Sequence, residues 1–203
     1  MDDIRRLQAR QLDALREVAN IGAGHAATAL SQMTGQTIMI SVPRLTVAPL
    51  ADIPNQVAAK EEPVAAVLMK MLGDLTGLTM LVLARETALR VAGLMLRRTT
   101  TELGEIEQSA IKEAGNILSA AYLNALSEFL GMILLPSPPS LAVDLSDAVL
   151  SAGYLEMTVD NDMVFCVESE FYLQEAGERL RGFFLLMPDV SSLNAILRAI
   201  RLD

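Results

Sequence analysis

The chain has 203 residues, of which 52% are hydrophobic and 20% charged, enough apolar content to bury one sizeable core and too much for a disordered or fibrous protein. Its 16 Lys and Arg against 25 Asp and Glu leave a formal net charge of -9 with no basic tract, so a nucleic-acid backbone would be repelled and no nucleic-acid partner is expected. One cysteine, Cys166, and one histidine, His25, exclude an internal disulfide framework and a Cys/His zinc site, and a reducing cytoplasm is the expected compartment.

The N-terminus, MDDIRR, puts acids where a secretory signal needs a basic patch, so no export signal is expected. The longest run without Asp, Glu, Lys or Arg, Val18 to Pro43, has the length to span a bilayer. It is interrupted by Asn20, Gly22, Gly24, His25, Thr28, Ser31, Gln32, Thr34, Gly35, Gln36 and Thr37, so no membrane insertion is expected. The segment from Gln11 instead reads as a long amphipathic helix with Leu12, Leu15, Ala19, Gly22, Ala26, Leu30 and Met33 on its apolar face. Two strands follow, VAAVLMKML and LTMLVLA, joined by a hairpin turn over Gly73-Asp74-Leu75-Thr76-Gly77. A helix from Arg85 to Arg97 closes the first half. A second long helix begins near Glu107, with Ile111, Ala114, Leu118, Ala121, Ala125 and Phe129 on its apolar face. AVLSAGYLEMTV, MVFCVES and RGFFLLM then read as antiparallel strands, and a helix from Val190 to Ile200, N-capped by Asp189, ends the chain.

Aligned on itself, the chain repeats. QLDALREVANIGAGHAATALSQMTG from Gln11 reappears as EQSAIKEAGNILSAAYLNALSEFLG from Glu107, at an offset of 96. Glu17 falls on Glu113, Asn20 on Asn116, Ile21 on Ile117, Ala29 on Ala125, Leu30 on Leu126, Ser31 on Ser127, Gly35 on Gly131 and Pro43 on Pro139. The second half carries roughly eight extra residues, expected as a longer hairpin loop around Glu170 to Arg179. The halves, about 1–98 and 99–203, meet at Arg97-Arg98-Thr99-Thr100-Thr101, too short for a flexible linker. The expectation is a single α+β domain over residues 1–203: two layers with internal pseudo-twofold symmetry, an antiparallel sheet against two long helices.

On the first helix Asp13, Glu17 and Asn20 share one stripe; on the second, Ser109, Glu113 and Asn116 do the same. A polar stripe on an amphipathic helix is ordinarily its solvated side. Solvation would be served better by Lys, Glu or Gln, because a mid-helix Asn competes for backbone hydrogen bonds and costs roughly a few tenths of a kcal/mol relative to Ala. A helix C-cap is the structural alternative. Gly22 suits that role in the first copy, but Ile117-Leu118-Ser119-Ala120 does not in the second.

These residues resemble the motif of the CheC/CheX/FliY family of bacterial chemotaxis phosphatases: Asp or Ser, three residues, Glu, two residues, Asn, then twenty-two residues and Pro. Asp13, Glu17, Asn20 and Pro43 match it in the first half, Ser109, Glu113, Asn116 and Pro139 in the second, and NIGAGHAATALS is also typical of CheC. The resemblance implies hydrolysis of the aspartyl-phosphate on a CheY-type response regulator. The asparagine would position the attacking water, the glutamate would pair with a lysine of the regulator, and Mg²⁺ would be bound by the regulator, with no cofactor of this chain's own. It implies partner contact or support for Asp13 and Ser109, and strand placement for Pro43 and Pro139. A carboxamide suits the first role, since it donates and accepts at once without titrating. CheC proteins also resemble adaptors that bind the receptor deamidase CheD, so a binding module with weak catalysis is the alternative. A flagellar switch component of FliY type is disfavoured because no FliN-like domain precedes Asp203.

Other signals carry less. Gly22-Ala23-Gly24-His25-Ala26-Ala27 has the form of a dinucleotide fingerprint, but it lies in a helical pattern rather than after a strand, and its small residues are expected to allow close helix packing. His25 has no duplicate, since Ala121 stands at the matched position, and a catalytic role is not expected. Cys166 and the 11 methionines read as packing residues.

Overall fold

The computed structural model describes residues 9–49, 61–155, 163–173 and 178–200. In chain order the elements are α1 (Ala9–Thr34), β1 (Ile38–Ile40), β2 (Arg44–Pro49), β3 (Pro63–Gly73), β4 (Gly77–Ala84), α2 (Arg85–Leu96), α3 (Glu105–Leu130), β5 (Leu134–Pro136), β6 (Ser140–Leu145), α4 (Ser146–Leu155), β7 (Met163–Leu173), β8 (Glu178–Pro188) and α5 (Val190–Ala199). All strands join one antiparallel sheet of order β1-β7-β8-β4-β3-β5, in which β2 also pairs with β7 and β6 with β3.

The two long helices end alike because the sequence ends them alike. Gly35 and Gly131 stand at φ of 69° and 65°, the left-handed region where a side chain would be strained, and each amide donates back to the carbonyl of the duplicated serine, Ser31 or Ser127. The serine hydroxyls tie the last turn to the chain that follows. Ser31 Oγ accepts from the Ile38 amide at 2.9 Å, and Ser127 Oγ donates to the Met132 carbonyl.

The pairing crosses between halves. β1 and β2 of the first half bond to β7 of the second, β5 and β6 of the second bond to β3 of the first, and β4 lies against β8. The repeat's offset is still 96 at these short strands, where Ile38 corresponds to Leu134 and Arg44 to Ser140. It becomes 100 at β3 and β7, since Ile38 pairs with Leu173 while Leu134 pairs with Gly73. It becomes 105 at β4 and β8, where Val67 pairs with Leu81 and Val167 with Leu186. The extra residues therefore enter in two places: between β6 and β7, and in the β7–β8 hairpin, which carries a register shift at Glu170/Phe171. Met80 lies opposite its own counterpart Leu185, so the twofold relation between the halves passes through this fully buried pair.

One sheet face carries the main core. Ala65, Val67, Met69 and Met71 of β3 and Leu81 and Leu83 of β4 pack against Leu15, Val18, Ala19, Ala26 and Leu30 of α1 and Ile111, Ala114, Leu118 and Leu126 of α3. α3 reaches β3 closely enough that a Cβ on Gly115 would fall 2.6 Å from Val67 Cγ1. α1 and α3 meet at Gly22, where a Cβ would stand 3.0–3.2 Å from Tyr122 atoms; this part of the GxGxxA segment does allow close packing of the two helices. Gly24 faces open space instead. Tyr122 is buried, stacks on Phe184 with ring centroids 4.6 Å apart, and exchanges a 2.6 Å hydrogen bond with Ser169 of β7. Burial pushes its phenol up to about 12, against the partial opposition of that hydrogen bond.

Two sequence expectations change here. AVLSAGYLEMTV is not a strand: Ser146–Leu155 is helix α4, and the remainder lies outside the described residues. α4 covers the second sheet face, where Val149 and Leu150 pack against Val64, Ala66, Leu78, Met80, Val82, Leu185 and Met187. The central strands are apolar on both faces for that reason, so their runs read as continuous rather than alternating. Met33 and Phe129, equivalent under the repeat, are 41% and 48% exposed rather than core, standing in the last turns of α1 and α3. The hairpin at Gly73 to Gly77 and the helix Arg85–Leu96 stand as expected, as does the Asp189 cap, whose Oδ1 accepts from the Ser192 amide at 2.7 Å. Partial burial works to raise the Asp189 carboxyl, but hydrogen bonds from Thr76, the Ser192 amide and Ser191 outweigh it and hold it below its ordinary value.

Candidate functional site

Asp13, Glu17 and Asn20 occupy one stripe of α1, within about 60° of arc, and all three are exposed. On α3, Ser109 and Glu113 are exposed and Asn116 is half-buried. Each helix runs 26 residues without a break at its asparagine, so neither Asn20 nor Asn116 caps a helix end. Two asparagines thus sit where helix propensity disfavours them, each with its Glu one turn earlier on the same face.

Local geometry differs between copies. Asn116 Nδ2 donates to Glu113 Oε2 at 3.5 Å, the outer limit of a hydrogen bond, so the two side chains lie side by side. The side chains of Asn20 and Glu17 make no hydrogen bond or ion pair with another described residue. Asp13 Oδ1 is engaged by Arg16 Nη1 at 3.2 Å, whereas Ser109, its match, turns its hydroxyl back to the Glu105 carbonyl at 2.9 Å. Pro43 is buried and Pro139 half-buried, each immediately before a strand, β2 and β6, on a different element from its Glu and Asn. His25 is exposed and lies about 140° around α1 from Asn20, off the stripe. The Cys166 side chain lies outside the described residues; its backbone pairs with Thr46 in the sheet.

The second helix is anchored by charge just before its site. Arg98 Nη2 donates to Glu107 Oε1, and the backbone amide of Glu107 together with that guanidinium holds the carboxyl below its ordinary value. One further match lies beside the motif: Arg16 and Lys112 fall on each other at the offset of 96, each four residues before its asparagine. The same alignment that found the glutamates contains them. Among the described residues no group of three or more His, Cys, Asp or Glu could hold a metal ion, and no helix is long and apolar enough to cross a membrane.

The sequence model of the CheC-like family matches residues 11–47 and 106–143, the segments that hold the two copies from Asp13 to Pro43 and from Ser109 to Pro139. The chain is 30% identical over 199 residues to the CheY-P phosphatase CheC of Bacillus subtilis, spanning 96% of this chain and 95% of that one. It is 31% identical over 151 residues to the flagellar motor switch phosphatase FliY of the same organism, spanning 72% of this chain and 39% of that one. Its fold matches the crystal structure of Thermotoga maritima FliY with a TM-score of 0.76 at 26% identity, over 96% of this chain and 98% of that one.

Proposed function

The chain belongs to the CheC-like family, and from that premise we propose that it is a cytoplasmic phosphatase acting on the aspartyl-phosphate of a CheY-type response regulator in chemotaxis. The observation that carries the reading is the duplicated pair on unbroken helices, Glu17 with Asn20 and Glu113 with Asn116, both glutamates and Asn20 exposed and Asn116 half-buried, where neither asparagine serves the helix.

In this reading each helix enters the regulator's active site as a rigid rod. The asparagine carboxamide binds the attacking water, its oxygen accepting a hydrogen bond from that water and its N–H₂ available to a phosphoryl oxygen, and aligns the water with the phosphorus. Water oxygen bonds to phosphorus as the P–O bond to the regulator's aspartate breaks, releasing the free carboxylate and inorganic phosphate, which carries away the water's protons. The regulator's Mg²⁺ supports the leaving group; this chain contributes no cofactor. Glu17 and Glu113 pair with a lysine of the regulator and set the angle of approach, Asp13 and Ser109 border the contact, and Pro43 and Pro139 fix the strands behind it. The two repeats act as one domain, because the short strands of each complete the sheet of the other.

The test is the rate of phosphate loss from a CheY-type regulator loaded with acetyl phosphate and Mg²⁺, with and without this protein. Acceleration at substoichiometric protein supports the reading. No acceleration, combined with tight binding of CheD, would replace it with the adaptor function.

A further inference from the structure

Each asparagine is flanked on both sides, one turn toward the helix N-terminus: by a carboxylate three residues before it and by a cation four residues before it. Glu17 and Arg16 flank Asn20; Glu113 and Lys112 flank Asn116. Helical side chains lean toward the N-terminus, so a residue's functional end lies between its i-3 and i-4 neighbours. The 3.5 Å contact of Asn116 Nδ2 with Glu113 Oε2 shows that lean on one side; helix geometry puts the cation about 40° away on the other.

The cations have little to do within the fold. Lys112 is the only Lys or Arg of α3, and its side chain makes no hydrogen bond or ion pair with another described residue. The positions three and four away from it are Gln108, Ser109, Gly115 and Asn116, none acidic, and its neighbour Glu113 projects elsewhere on the helix. Among the described residues Arg16 pairs only with Asp13, with side chains 54% and 71% exposed, a surface contact of small energetic worth. The chain has a net charge of -9, and each site displays a glutamate, so an acidic, phosphorylated partner meets net repulsion that a cation beside each asparagine offsets locally.

We infer that Arg16 and Lys112 are docking cations, each holding an oxyanion of the phosphorylated partner beside the asparagine and thereby selecting the acidic partner against the chain's own negative field. The inference rests on the proposed phosphatase reading and adds a residue to each of its sites. The oxyanion is a phosphoryl oxygen or a carboxylate at the rim of the partner's pocket.

The test uses the full chain with Arg16→Gln and Lys112→Gln combined, beside the conservative pair Arg16→Lys and Lys112→Arg. Initial rates are measured against regulator concentration at low and high salt, with far-UV circular dichroism confirming the fold. The charge-removing pair should raise the half-saturating regulator concentration about fivefold or more at low salt, by more than it lowers the maximal rate. The difference should shrink at high salt, and the conservative pair should restore most of the affinity. Direct titration with unphosphorylated regulator separates the sources: a loss confined to the phosphorylated form assigns the phosphoryl group, an equal loss in both assigns a carboxylate. An unchanged half-saturating concentration, or a shift indifferent to salt, overturns the inference. If the wild-type chain does not dephosphorylate the regulator at all, the phosphatase reading fails instead, and the two failures are distinct.

Discussion

Replacing Tyr122 by Phe tests the joint on which both site helices rest. Tyr122 receives Gly22 of α1, stacks on Phe184 and binds Ser169, so one side chain of α3 contacts α1, β7 and β8. The substitution keeps the ring stack and strands the 1% exposed Ser169 hydroxyl without its partner, which should cost about 1–3 kcal/mol at neutral pH. For a chain of this size that corresponds to a fall in Tm of roughly 2–4 °C per kcal/mol. The pH dependence is the sharper signature. The folded phenol titrates at about 12 against an ordinary value of 10.0, so the fold favours the neutral form. That contribution is fully present below pH 10 and is lost as pH rises from about 10 to about 12, an additional loss of about 2–3 kcal/mol in the wild type that the Phe variant does not suffer. Urea unfolding at intervals from pH 8 to 11.5 should show the wild type ahead at first and the gap narrowing or reversing above pH 10. A gap that stays constant across that range would refute the buried neutral phenol.

At Gly22, where a Cβ already crowds Tyr122, Gly22→Leu should destabilise by about 1–3 kcal/mol, whereas Gly24→Ala, into open space and matching Ala120 of the second copy, should stabilise by up to about 1 kcal/mol; thermal melts of the two variants check the contrast. Residues 1–98 expressed alone lack β7 and β8, the partners of β1, β2 and β4, and should aggregate, dimerise or stay unfolded; a folded monomer by size exclusion and circular dichroism would contradict the single-domain proposal. Glu17→Lys with Glu113→Lys should raise the half-saturating regulator concentration by about tenfold or more through like-charge repulsion, with little change in Tm at these exposed positions, and steady-state rates read it directly.

Much of this was legible in the sequence because it is local or repeated. The alignment at offset 96 located both long helices and their left-handed glycines, and the φ values at Gly35 and Gly131 show why glycine recurs there. The Glu and Asn pairs were visible because a mid-helix asparagine is disfavoured and duplication makes it conspicuous. The crossing of β2 to β7 and of β6 to β3 was not legible, since nothing in a strand's own residues names a partner more than a hundred positions away or one in the other repeat. α4 was missed because a short segment of small apolar residues fits either period, and only packing of Val149 and Leu150 on the second sheet face decides it. Met33 and Phe129 continue the apolar periodicity of their helices into the last turn, where both stand exposed, so periodicity alone extends the apolar face beyond what the fold buries.

The central claim is that the two duplicated asparagines, Asn20 and Asn116, carry the hydrolysis. The most direct measurement is the dephosphorylation rate of the phosphorylated regulator by the Asn20→Ala, Asn116→Ala double variant, beside each single variant and with Tm recorded. Each single variant should keep partial activity, and the double variant should fall close to the regulator's own rate while melting within about 4 °C of wild type. A double variant that turns over phosphoregulator at close to the wild-type rate would contradict the account, whatever its stability.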